Sequence, residues 1–108
     1  MEESGPLIQR RGVQRITADI GIRYFFSNTN HSGAVKNISG HGMFIQSWTT
    51  LPPGSLFPII ICNERDVLIE HVMVKHLIKT NKDISGMGVE ILYPSQGYLE
   101  FVKKNFSI

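Results

Sequence analysis

A chain of 108 residues with 42% hydrophobic and 19% charged residues has the size of one domain and enough apolar material for a core, which excludes a disordered tail and a membrane-dominated protein. Its formal net charge of +2, from 11 Lys and Arg against 9 Asp and Glu, gives no global field of the kind that bulk nucleic-acid binding requires. The lone Cys62 excludes an intramolecular disulfide and agrees with a reducing compartment; inside LFPIIIC it reads as a small buried apolar residue.

Residues 1–9 carry Glu, Ser, Gly and Pro without periodicity and are expected to form a flexible N-terminal arm, with the folded domain spanning 10–108. The arm leads into RRGVQR, which holds Arg10, Arg11 and Arg15, three of the five arginines in the chain. From Ile16 to Phe26 the sequence ITADIGIRYFF alternates with period two, placing Ile16, Ala18, Ile20, Ile22 and Tyr24 on one side of a strand. SNTNHSG at 27–33 is rich in turn formers and predicts the first connection. A second strand over 34–38 runs into the small-polar turn NISGHG at 37–42, and a third leaves it over 43–48.

LPPGS at 51–55 predicts a type II turn, because Pro53 sets φ for its second position and Gly54 tolerates the positive φ required at its third. LFPIII at 56–61 follows as a strand in which Pro58, lacking an N–H, argues for an edge or a bulge. Residues 63–66 turn, and 67–79 alternate again, but with polar residues on both parities, so the strand is expected to bend or bulge where its inward face changes. After a turn at 80–86, residues 87–93 give the last strand. SQGYLEFVKKNFSI then shows Tyr98, Leu99, Val102 and Phe106 at helical spacing, with Ser95 as N-cap, Gly97 weakening the first turn, and Lys103 and Lys104 complementing the dipole at the other end. Six strands in tandem with one closing helix predict an all-β-dominated domain, a small six-stranded antiparallel β-barrel or sandwich with a C-terminal α-helix.

Two runs stand out chemically. Arginine offers five N–H donors in a fixed fork that suits phosphate or the O6/N7 edge of guanine, while Asn, Ser and Gly supply an amide, a hydroxyl and close backbone approach. Arg11 and Arg15 form R-x-x-x-R, and Asn37, Ser39 and Gly42 form N-x-S-x-x-G. This paired signature resembles that of the PilZ domain family, as do the order and separation of the two runs, the apolar GMFIQ after the second, and GMGVEI before a terminal helix; the likeness extends from about Gln9 to the end. The resemblance implies a PilZ-like β-barrel acting as a bacterial receptor for the second messenger cyclic di-GMP. Arg11 and Arg15 would then hold phosphates and guanine Hoogsteen edges, Asn37 would accept from guanine N1–H and N2–H where other members have Asp, Ser39 would contribute its hydroxyl, and Gly42 would admit the ligand closely. The same resemblance suggests that Arg10 contacts a second ligand copy in an intercalated dimer, that binding orders the N-terminal arm, and that a stand-alone domain signals through contact with a protein partner.

Other chemistry is poorly supplied. His71 and His76 are five apart, on opposite faces of a regular strand, and no Cys or carboxylate set completes a metal site. Ser39 and His41 lack an orienting group and an oxyanion hole, so no enzyme and no cofactor is expected. Trp48, Phe44, Phe25 and Phe26 read as core or flanking surface, and His41 as either a ligand contact or part of the turn. The acidic N-terminus without an apolar h-region, and the lack of any run near the roughly 18 to 20 apolar residues of a membrane span, suggest a cytoplasmic protein. Two further readings keep the barrel: a protein-interaction adaptor that binds no nucleotide, and a small barrel for single-stranded nucleic acid, which the balanced charge disfavours.

Overall fold

The computed structural model describes residues 16–62, 67–79 and 85–106; Arg10, Arg11, Arg15, the proposed arm at 1–9 and the turns at 63–66 and 80–84 lie outside the described residues. β1 (Ile16–Phe26) returns as β2 (Thr29–Ile38) through only two residues. Ser27 and Asn28 have φ of 51° and 62°, the left-handed pair of a type I′ hairpin, whose twist matches that of the flanking strands. The loop expected at 27–33 is therefore mostly strand. Its polar residues find partners there: His31 stacks on Tyr24 at 5.2 Å, and the Ser32 carbonyl accepts from Ser47 Oγ at 2.8 Å.

β3 (Gly42–Ser47), β4 (Leu56–Cys62), β5 (Val67–Lys79) and β6 (Ser85–Leu92) complete a closed antiparallel barrel in the order β1-β2-β3-β6-β5-β4. The pairing of β3 with β6, non-sequential like the closing pair of β1 with β4, arises because residues 48–55 carry the chain away from β3 to begin a separate β4-β5-β6 meander. The type II turn expected there forms: Gly54 has φ 91° and Ser55 N–H donates to the Pro52 carbonyl at 3.1 Å. Among the described residues β4 meets β1 through three pairs, Ile22↔Ile61, Arg23↔Ile60 and Tyr24↔Ile59. The ladder stops next to Pro58, the residue that cannot donate to it.

Alternation decides what is buried. Phe57, Ile59 and Ile61 point inward from β4, so Cys62 falls on the outward parity at the strand end and is exposed; the expectation that it packs as a core residue is corrected by its position in the pleat. On β5, residues Glu70, Val72 and Val74 face inward until the register shifts between Val74 and His76. Lys75 is the extra residue of the expected bulge, and beyond it the inward parity passes to the partly buried Leu77. The bulge also puts His71 and His76 on the same outer face, against the opposite faces that an unbroken strand would impose.

α1 (Gln96–Phe106) closes one end. Ser95 caps it as expected, its Oγ accepting from Tyr98 N–H at 3.0 Å, and the buried Glu70 carboxylate receives both Ser95 N–H at 3.1 Å and Ser95 Oγ–H at 2.6 Å. This negative charge at the helix start satisfies orphan donors and complements the dipole, which compensates for Gly97 in the first turn. The buried stripe is Tyr98, Phe101 and Val102, whereas Leu99 is 42% exposed. The hydrophobic core inside the barrel centres on Ile38, Met43, Ile45, Ile61, Val72 and Met87. No helix among the described residues is long and apolar enough to cross a membrane.

Candidate functional site

The turn joining β2 to β3 is built around one hydroxyl. Ser39 is 1% exposed; its Oγ accepts from His41 N–H and Gly42 N–H, both at 3.2 Å, and lies 3.3 Å from the Gly42 carbonyl, which also accepts from Ser39 N–H at 2.9 Å. A serine side chain that satisfies two backbone donors substitutes for a ladder the turn cannot form. In this arrangement Ser39 spends its hydrogen bonds on the turn itself. Asn37, half-buried near the end of β2, pairs with Thr17 on β1 and Phe44 on β3. Gly42 opens β3 opposite Glu90, where an added Cβ would stand 2.5 Å from the Val89 carbonyl oxygen. Glycine is thus required at this position for β3 to approach β6.

Because β3 pairs with β6, the turn is also stitched to that strand by Ile91 N–H donating to the His41 carbonyl at 2.8 Å. Beside it runs an open groove of about 550 Å³, lined by Ser39, His41, Gly42, Lys75, His76 and Glu90, with Gly88 and Val89 beneath. Beside the groove, β6 carries two glycines on its outer face. Gly86 and Gly88 occupy outward positions where a Cβ would collide with the Phe44 ring at 1.9 Å and the His76 ring at 2.2 Å, so both rings lie down on the bare backbone. At the rim Lys75 Nζ is 3.5 Å from Glu90 Oε1, both about half exposed, and His41 is exposed.

From beneath, α1 supports the turn. The Tyr98 hydroxyl, fully buried, donates to the Ser39 carbonyl at 2.6 Å, and Leu99 Cδ2 lies 3.8 Å from where a Gly40 Cβ would stand. Burial, and secondarily the nearby Glu70 carboxylate, push the Tyr98 phenol far above its ordinary range, so it remains a donor at any physiological pH. Asn37, Ser39 and Gly42 therefore lie at and beside one turn, and Ser39 and Gly42 line the groove. Sequence reasoning missed Lys75, His76, Gly88 and Glu90. The available signal was the glycine pair two apart in GMG, a bare stripe on one side of a strand.

A groove bearing an imidazole over bare backbone, with the Lys75 ammonium beside Glu90 at its edge, suits a planar heterocycle. Among the described residues no three His, Cys, Asp or Glu side chains gather to hold a metal ion. The aromatic side chains fall as expected: Phe26 packs edge-on to Phe57 at 6.4 Å beside the core, while Trp48 and Phe25 lie on the surface.

Comparison with known proteins supplies the architecture's relatives. No family model matches the chain, and no curated protein matches it either. Solved structures do. The PilZ domain of YcgR from Escherichia coli with c-di-GMP superposes with a TM-score of 0.71 at 16% identity, covering 89% of this chain and 88% of that one. The Bacillus subtilis inhibitor of motility MotI/DgrA gives 0.73 at 17% identity over 90% of this chain, which spans about half (49%) of MotI. The PilZ domain of CeSA from a cellulose-synthesizing bacterium gives 0.62 at 17% identity, covering 87% of this chain and 96% of that domain. Strand order, closing helix and these superpositions agree that the chain has the PilZ-domain fold.

Proposed function

We propose that this chain is a cyclic di-GMP receptor that holds the dinucleotide against the groove beside the 37–42 turn and signals through contact with another protein. The observation that carries the reading is a conjunction: on a PilZ fold, the N-x-S-x-x-G turn forms the rim of a groove whose floor is backbone and ring. A fold alone hosts many functions, so the site must carry the argument. The YcgR domain, solved with c-di-GMP, shares that fold.

On this reading Arg11 and Arg15 supply charge-assisted hydrogen bonds to phosphates and guanine Hoogsteen edges, and the Asn37 amide oxygen accepts from guanine N1–H and N2–H. Ser39 and Gly42 fix the turn that presents the groove. Arg10 reaches a second copy of the ligand in a stacked pair. The reading contains no catalytic step.

Isothermal titration with cyclic di-GMP tests it. Binding at micromolar concentrations with two ligands per chain is expected; absence of heat at tens of micromolar refutes the receptor, and a ratio of one refutes the stacked pair. Arg11→Ala or Arg15→Ala should each weaken binding by more than about tenfold, since each removes charge-assisted bonds, while leaving the melting temperature unchanged. Wild-type affinity in either variant would place the ligand elsewhere.

A further inference from the structure

The contact between α1 and the turn goes beyond closing the barrel. A buried hydroxyl from one element donates to the backbone carbonyl of Ser39, in the middle of the residues that shape the groove. Leu99, one residue further along the helix, packs towards Gly40 in the same turn. At its own N-terminus the helix is held to β5 through Ser95 and Glu70. The chain Glu70, Ser95, Tyr98, Ser39 thus links β5, the helix cap and the rim of the groove without leaving buried or half-buried surroundings, where polar contacts are costly to break.

We propose that Tyr98 is a positioning residue for the ligand site: by fixing the Ser39 carbonyl it sets the conformation of the 39–42 turn, so that docking of α1 and occupancy of the groove by cyclic di-GMP are coupled. The ligand half of this statement rests on the receptor reading above; the conformational half does not. Tyr98 does not touch the groove and acts only through Ser39. Because coupling between two events is reciprocal, ligand that favours the set turn must also tighten the helix against the barrel. A helix whose docking depends on occupancy is a surface that a partner protein can read.

The test uses Tyr98→Phe, which keeps the ring and removes the hydroxyl. Tyr24→Phe is the control, because the Tyr24 hydroxyl is likewise buried and hydrogen-bonded, to Ser47 Oγ at 2.7 Å, but neither residue lines the groove. Both variants should lose stability. Only Tyr98→Phe should displace the amide resonances of Ser39 to Gly42 in the ligand-free protein, and only it should weaken cyclic di-GMP binding, by about fivefold, the worth of one neutral hydrogen bond. In the wild type, saturating cyclic di-GMP should slow hydrogen exchange of the α1 amides. Equal affinity loss in the two variants, or unmoved turn resonances in Tyr98→Phe, overturns the proposal. If the wild type binds no cyclic di-GMP, the receptor reading and the coupling fall together, and the resonances of the ligand-free variants still decide whether Tyr98 sets the turn.

Discussion

Replacing Gly42 by alanine puts a methyl group 2.5 Å from the carbonyl oxygen of Val89. The obstructing atom belongs to the backbone of β6, so no rotamer change relieves it, and β3 must move away by at least about 0.5 Å to reach even the closest tolerated contact. That movement acts on the bonds that define the turn, including Ile91 N–H to the His41 carbonyl and the pair at Ser39. Overpacking of this kind costs about 2–3 kcal/mol, which in a domain this small lowers the melting temperature by roughly 10–20 °C. Gly21→Ala is the internal control: Gly21 is exposed on β1, has no neighbouring heavy atom within 4 Å of the added carbon, and lacks a positive φ. There the smaller entropy of the unfolded chain should leave stability unchanged or raise it by about 0.4–1 kcal/mol. Thermal unfolding followed by circular dichroism measures both. If Gly42→Ala melts within a few degrees of Gly21→Ala, then Gly42 is not what brings β3 against β6.

Glu70→Ala should cost about 2–3 kcal/mol in urea unfolding, because Ser95 N–H and Oγ–H lose their acceptor at a half-buried helix start; a loss within experimental error would show that water replaces the carboxylate. Alkaline stability gives a separate check. Burial raises the Tyr24 and Tyr98 phenols above their ordinary value of 10.0, so the folded chain keeps protons that the unfolded chain releases. The stability these phenols contribute should then be complete below about pH 10 and decline above it, and the decline above about pH 10 should be shallower in Tyr98→Phe; identical slopes in wild type and variant would remove Tyr98 from the account.

The elements that rest on local pattern were legible in the sequence. Strand β1, the Pro53-Gly54 turn, the bulge in β5 and the Ser95 cap each depend on residues within a few positions of one another, and each appears where the pattern puts it. What failed depended on partners. A hairpin needs only Ser27 and Asn28, so the polar residues after them were free to join β2, and their composition could not reveal that Tyr24 and Ser47 would engage them. Cys62 was misjudged by composition where its parity in the pleat already pointed outward. The candidate site was half legible. N-x-S-x-x-G was visible as a motif, but the groove beside it needs β3 to lie next to β6, a non-sequential pairing that no local pattern encodes.

The bulges explain how a barrel built of alternating residues can present consecutive polar side chains on one side. In an unbroken strand, Lys75 and His76 would point to opposite faces, and with Val74 buried, His76 would enter the core. The extra residue between Val74 and His76 in the register against β6 turns both outward, so that both line the groove. On β2 the same device operates between Val35 and Asn37: Val35 and Ile38 are buried, while Lys36 and Asn37 are both half-buried on the other face. Lys36 then reaches Asp19 on β1 at 2.9 Å, and Asn37 stands beside Phe44, whose ring covers Gly86. Each of these two bulges moves one polar residue from the core-facing parity to the outer face, and they occur on strands that flank the β3–β6 pair from opposite sides, while a further register shift between Thr17 and Ile20 lies in the β1–β2 ladder. The β5 bulge, which turns Lys75 and His76 outward, and Gly88, over which the His76 ring lies, together shape one side of the groove.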